Sequence, residues 1–128
     1  AKTLFPYTTL FRSSPSYPRG MDVEVFSFRA LKEAHLEASL KPEREHVTPF
    51  LYTHPERYRI GDLRPPKNLS EHRWTVDTIE DYQLVSRIIE ALYPQSRNFG
   101  LEDILTLFDR NPDWKAINAM VRQKEIGE

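Results

Sequence analysis

The sequence predicts a mixed α/β fold, on three observations. Two segments, Asp22–Phe26 and Arg57–Leu63, alternate apolar and polar residues as half-buried strands do. These interleave with stretches whose apolar residues recur every three or four positions, in the order strand–helix–strand–strand–helix, which marks an α/β layer rather than a bundle. Finally, 7 Phe, 6 Tyr and 2 Trp in 128 residues give one domain's worth of chain enough to bury a core.

Each element follows from local signals. Ser14–Gly20 is a Pro/Ser/Gly connector, and Asp22–Phe26 (DVEVF) is the first clear strand. Ser27 is an N-cap for a helix to about Ser39, with Phe28, Leu31, Ala34 and Ala38 on one side. Pro42 suits the first turn of a second helix, which Pro49 either interrupts or restarts with Thr48 as a new cap. Arg57–Leu63 is a strand, Arg64–Leu69 a basic Pro-rich loop, and Arg73–Val76 (RWTV) a short strand running into a helix. Thr78-x-x-Asp81 is a capping box, with Glu80 and Asp81 in the first turn where the helix dipole favours acids. Tyr82, Val85, Ile88, Ile89 and Leu92 then line one face. Leu101–Phe108 is a further helix, stopped by Asn111-Pro112, and Trp114, Ile117 and Val121 mark a last one.

Residues 1–13 (AKTLFPYTTLFRS) stand apart. They read as an N-terminal strand or a signal segment, but a signal needs a longer apolar stretch and a small-residue cleavage site. The string resembles translated sequencing-adapter sequence. It is set aside as non-native, which leaves 14–128 as a partial domain.

Composition excludes several classes. The formal net charge of −1 supplies no field for nucleic acid or anionic membrane. The absence of cysteine excludes disulfide scaffolds, Cys-based zinc sites and thiol nucleophiles. No apolar run approaches the ~18 residues of a membrane span. The expectation is a cytoplasmic protein. With 4 glycines and no G-x-G-x-x-G, Walker A, G-x-S-x-G or H-E-x-x-H, the chain cannot build a phosphate-cradling loop or a zincin site. His35, His46, His54 and His72 lack metal spacing. His35 reads as a core-edge residue, and His46 and His54 are placed to share a helix face or stand in solvent.

Asp77 is the informative acid. It sits at the carboxyl end of a strand and immediately before a helix, where open α/β sheets bind ligands. Thr78 fills the capping role, so Asp77 is not needed as a cap, whereas Asp81 is explained by that role. Arg73 and Lys67 read as phosphate contacts or as ordinary exposed cations.

Three segments carry a family resemblance. Asp77-Thr78-Ile79-Glu80-Asp81-Tyr82, Arg19-Gly20-Met21-Asp22-Val23-Glu24-Val25-Phe26-Ser27-Phe28 and Arg44-Glu45-His46-Val47-Thr48-Pro49-Phe50 resemble, in order and spacing, segments of the cytidylyltransferases of spore coat polysaccharide biosynthesis. These are grouped with the acylneuraminate cytidylyltransferases. Ile79 stands where the family usually has proline, and Arg19 where an acid is common.

The resemblance implies the C-terminal portion of a Rossmann-like nucleotidyltransferase (three-layer α/β/α) with additional C-terminal helices. The parent would transfer a cytidylyl group from CTP to a sugar, as a homodimer, and this portion alone would be inactive. Asp77 matches the position of a Mg²⁺-binding carboxylate, the hard ligand that charge building at an α-phosphate calls for. Asp22 and Glu24 would line the sugar-acceptor side, or form a solvated strand face; Glu45 and His46 would reach the sugar or a partner subunit, or be surface charge on a helix. Two other classes stay open: a non-catalytic dimerisation module, and another sugar-nucleotide enzyme such as a glycosyltransferase.

Overall fold

A computed structural model describes residues 8–13 and 15–122. Its elements in chain order are β1 (Thr8–Ser13), β2 (Glu24–Phe26), α1 (Phe28–Glu37), α2 (Lys41–Glu45), α3 (Pro49–Tyr52), β3 (Arg59–Leu63), α4 (Ile79–Leu92) and α5 (Leu101–Arg110), then a 3₁₀ helix (Pro112–Ala116). The mixed α/β class is as expected. The chain divides into two compact units, one holding β1–β3 with α1–α3, the other, among the described residues, 17–21 with 68–122.

In the first unit β1 is the middle strand. The sheet order is β2-β1-β3, with β1 antiparallel to β2 (Leu10 opposite Phe26) and parallel to β3 (Arg12 opposite Asp62). Leu10 is fully buried and packs with Ala30, Ala34, Phe50, Leu51 and Tyr58. The part of the N-terminal segment that is described therefore lies in the sheet rather than apart from it; residues 1–7 lie outside the described residues.

The helix starts in this unit follow the local signals. Ser27 Oγ accepts the Ala30 N–H as an N-cap. Pro42 and Pro49 sit in the first turns of α2 and α3, so Pro49 restarts a helix. The apolar face of α1 is narrower than the spacing suggests. Ala30 and Ala34 are buried, while Phe28 is 79% exposed and His35 is exposed rather than at the core edge. Ala30 and Ala34, four residues apart, form the inward row of α1 in the cluster with Leu10, Phe50 and Leu51, and Phe28 and His35 lie off that row.

The second unit is a helical cluster on one extended segment. Leu84 and Ile88 of α4 pack with Ile104 and Phe108 of α5, joined by Trp74, Leu92, Phe99 and Trp114. The buried face of α4 runs through Asp81, Leu84 and Ile88, so Tyr82 and Ile89, expected on it, are exposed. Arg73–Val76 is not a strand. Arg73 makes one isolated parallel bridge with Arg19, held by Arg19 N–H to His72 O (3.0 Å) and Trp74 N–H to Arg19 O (2.7 Å). Gly20 makes this approach possible: its φ is +99°, and a Cβ there would stand 2.7 Å from the Trp74 carbonyl oxygen. The last helix is a short 3₁₀ segment, Pro112–Ala116, whose i→i+3 bonds include Trp114 N–H to Asn111 O (3.0 Å) and Ile117 N–H to Trp114 O (3.1 Å).

Candidate functional site

Asp81 is the centre of the second unit's polar chemistry. Its side chain is fully buried and accepts five hydrogen bonds. Oδ1 accepts from Arg73 Nε (2.9 Å) and Asn118 Nδ2 (2.8 Å). Oδ2 accepts from Arg73 Nη2 (2.9 Å) and from the backbone N–H groups of Asp77 (3.1 Å) and Thr78 (3.2 Å). The Arg73 hydrogen bonds hold the Asp81 carboxyl well below the usual carboxylate range, against the opposing effect of burial, with Asn118 assisting. Arg73 is pushed up in turn, chiefly by Asp81.

The capping box at Thr78 and Asp81 forms as expected, with Thr78 Oγ1 accepting the Asp81 N–H at 3.3 Å. Asp81 nevertheless does far more than cap a helix. Arg73 is likewise no ordinary exposed cation: its side chain is only 12% exposed and is bidentate on Asp81. The spacing Arg73–Asp77–Asp81 was visible, but a strand reading of 73–76 hid that one guanidinium could reach both acids.

Asp77 is the outward member of this group. Its side chain is 59% exposed, and its Oδ2 accepts from Arg73 Nη2 at 2.8 Å. The buried Asp81 thus fixes Arg73, and Arg73 fixes Asp77 at the mouth of α4. Among the described residues no group of three His, Asp or Glu stands together as a metal site. Asp77 can offer one carboxylate to a hard cation, and Mg²⁺ commonly takes one or two carboxylates and fills its sphere with water and phosphate oxygens.

The remaining candidates belong to the first unit. Glu24 and His46 line one depression of about 320 Å³ with Arg12, Thr48 and Tyr52. Thr48 is buried, and its hydroxyl donates to Glu24 Oε2 at 2.6 Å instead of capping α3. That contact fixes a β2 carboxylate against the turn before α3 and was missed in the sequence, where Thr48 reads as a cap. His46 also borders a second depression of about 210 Å³, where Glu45, Arg44 and His35 are the polar lining with Glu43. Asp22 precedes β2, is exposed, and lines neither depression. His54 does not share a helix face with His46, because α2 ends at Glu45; its ring stacks on Phe50 at 4.4 Å, with Nδ1 2.6 Å from the Phe50 carbonyl oxygen.

Comparison with known proteins points one way. The chain is similar to a solved cytidylyltransferase from Leptospira borgpetersenii, with a TM-score of 0.79 over 95% of this chain and 50% of that one, at 24% identity. The fold is shared. In sequence the chain is 38% identical over 111 residues to an uncharacterized protein of Methanocaldococcus jannaschii, covering 85% of this chain and 45% of that protein. It is 32% identical over 102 residues to the spore coat polysaccharide biosynthesis protein SpsF of Bacillus subtilis, covering 75% of this chain and 41% of that protein. The chain therefore spans less than half the length of the curated relatives it matches. No family model matches. No helix among the described residues is long and apolar enough to cross a membrane.

Proposed function

We propose that this chain is part of a nucleotidyltransferase that transfers a cytidylyl group from CTP to a sugar and releases pyrophosphate, in the service of surface polysaccharide synthesis. The observation that carries the reading is the likeness of fold to a cytidylyltransferase over 95% of the chain, supported by the sequence similarity to SpsF. In this reading residues 14–128 belong to the C-terminal portion of the parent, and the parent is a cytoplasmic homodimer.

Asp77 is the residue that holds Mg²⁺ in the parent, with Arg73 keeping its carboxylate oriented. The ion, when bound, stabilises the negative charge that builds at the α-phosphate. Glu24 and His46, with Thr48 fixing Glu24, are the groups available to meet sugar hydroxyls. Asp22 and Glu45 are secondary candidates on the same unit.

The test is pyrophosphate release from CTP in the presence of Mg²⁺ and a panel of acidic and neutral sugars. The chain alone is expected to give none. Rejoined to its upstream coding region it is expected to turn over, and Asp77→Asn to lower that rate by ~10²–10³, the usual worth of one preorganised charge. Added Mg²⁺ should partly restore the variant. Release by the isolated chain, or a normal rate for Asp77→Asn at limiting Mg²⁺, removes the assignment.

A further inference from the structure

Most of the bonds that gather Arg73, Asp77 and Asp81 are short-range. Four of the five that reach the Asp81 carboxylate come from residues three to eight positions away. The fifth comes from Asn118, whose Nδ2 donates to Asp81 Oδ1 at 2.8 Å across 37 positions of chain. The same Nδ2 donates to the Arg73 carbonyl oxygen at 2.9 Å. A side-chain amide has two N–H hydrogens, and the buried Asn118 uses both here.

We infer that Asn118 is a positioning residue for Asp77, acting through Arg73: it holds both the Arg73 backbone and the carboxylate that the guanidinium grips, and so aims Arg73 Nη2 at Asp77. The consequence for the metal rests on the proposed reading of Asp77; the positioning itself rests on hydrogen-bond geometry.

Three observations support this. The long Arg73 side chain is held at its two ends, by Asn118 at the backbone and by Asp81 at Nε and Nη2, and the same Nη2 then meets Asp77 Oδ2 at 2.8 Å. The Asp81 carboxylate turns about a terminal torsion with broad minima, so donors on both oxygens are what fix its plane. Removing Asn118 takes one of the two donors from Oδ1 and leaves the three on Oδ2, which frees the carboxylate to turn and to carry the guanidinium with it. A displacement of ~1 Å made at a distance from the chemistry can cost ~10² in rate. Asn118 is itself well anchored. Trp114 and Ile117 pack against the cluster of α4 and α5, Lys115 Nζ donates to Glu71 Oε1 at 2.8 Å, and the Asn118 carbonyl accepts the Val121 N–H at 3.1 Å.

Nuclear magnetic resonance on the chain tests this. In the unmodified protein the Asn118 side-chain N–H and Arg73 Nε–H protons should be in through-space contact, since both groups donate to Asp81 Oδ1, and Arg73 Nε–H should exchange slowly with water. Asn118→Ala should speed that exchange about tenfold, the size of one hydrogen bond's contribution. Mn²⁺, a paramagnetic substitute for Mg²⁺, should broaden the amide signals of Asp77 and Thr78 before those of Glu102 and Asp103, exposed acids at the start of α5. Asn118→Ala should raise the Mn²⁺ concentration needed about tenfold, the lower end for partners outside the metal's own ligands. Asn118→Ser, which keeps one donor, should fall between. Ile117→Ala loosens the packing of the same segment without touching the amide, and should move both readouts far less. Circular dichroism checks that each variant is folded; if Asn118→Ala is not, Asn118→Ser and the contact in the unmodified chain decide the matter. An Arg73 Nε–H that exchanges freely in the unmodified chain overturns the inference. So does one that Asn118→Ala and Ile117→Ala disturb alike, or a Mn²⁺ response at Asp77 that Asn118→Ala leaves unchanged. If Mn²⁺ does not favour Asp77 in the unmodified chain, the metal reading of Asp77 fails instead, and the Arg73 signal alone decides whether Asn118 positions it.

Discussion

Replacing Asp81 by asparagine should destabilise the second unit by roughly 3 kcal/mol. Every partner of this carboxylate is a donor. Two donors converge on Oδ1 (Arg73 Nε and Asn118 Nδ2) and three on Oδ2 (Arg73 Nη2 and the Asp77 and Thr78 N–H groups). An asparagine NH₂ group must therefore face at least two donors in either orientation. Leaving buried donors unpaired costs about 1–3 kcal/mol each, and Arg73 loses its main counter-charge, with only the exposed Asp77 left. An N-cap contact alone is worth about 1 kcal/mol. The assay is urea unfolding followed by tryptophan fluorescence, because Trp74 and Trp114, the chain's 2 tryptophans, both report on this unit. A loss under about 1 kcal/mol would refute the buried-hub reading and reduce Asp81 to a cap.

The same carboxylate sets an acid limit. Its pKa is depressed on folding, so its contribution is present at neutral pH and is lost as pH falls below the unfolded value of about 4. Fluorescence-monitored acid unfolding should steepen there, and Asp81→Asn should flatten that dependence. Gly20→Ala should cost about 2 kcal/mol or more, since a positive φ and a Cβ against the Trp74 carbonyl cannot both relax; a thermal melt that moves by less than a degree or two goes against it. Thr48→Val should cost about 1 kcal/mol through the lost bond to Glu24, measurable by urea unfolding of the first unit and absent when Glu24 is already alanine. Asp77→Asn, at an exposed ion pair, should change stability by no more than about 1 kcal/mol, in contrast to Asp81→Asn four residues away.

Local rules were sufficient for the helix starts. Ser27, Pro42, Pro49 and the Thr78–Asp81 box act within one turn, so residue type and spacing decide them without knowledge of the rest of the chain. The strands at 24–26 and 59–63 were also legible, as was the mixed α/β class. The family-like segments around Glu24, His46 and Asp77 stood out in the sequence as well. What periodicity could not supply was which apolar residues face inward. Two overlapping rows exist on α4, and only the packing of α5 shows that Leu84 and Ile88 take the inner one while Tyr82 and Ile89 stay outside. Arg73–Val76 has β-forming residues but a single bridge, since a strand needs a neighbour whose presence is not a local property. The roles of Arg73, Thr48 and Asn118 were decided by tertiary structure alone. Each bonds a partner far away in sequence or hidden behind an expected cap, and such a bond exists only once distant backbone has brought donor and acceptor within 3 Å.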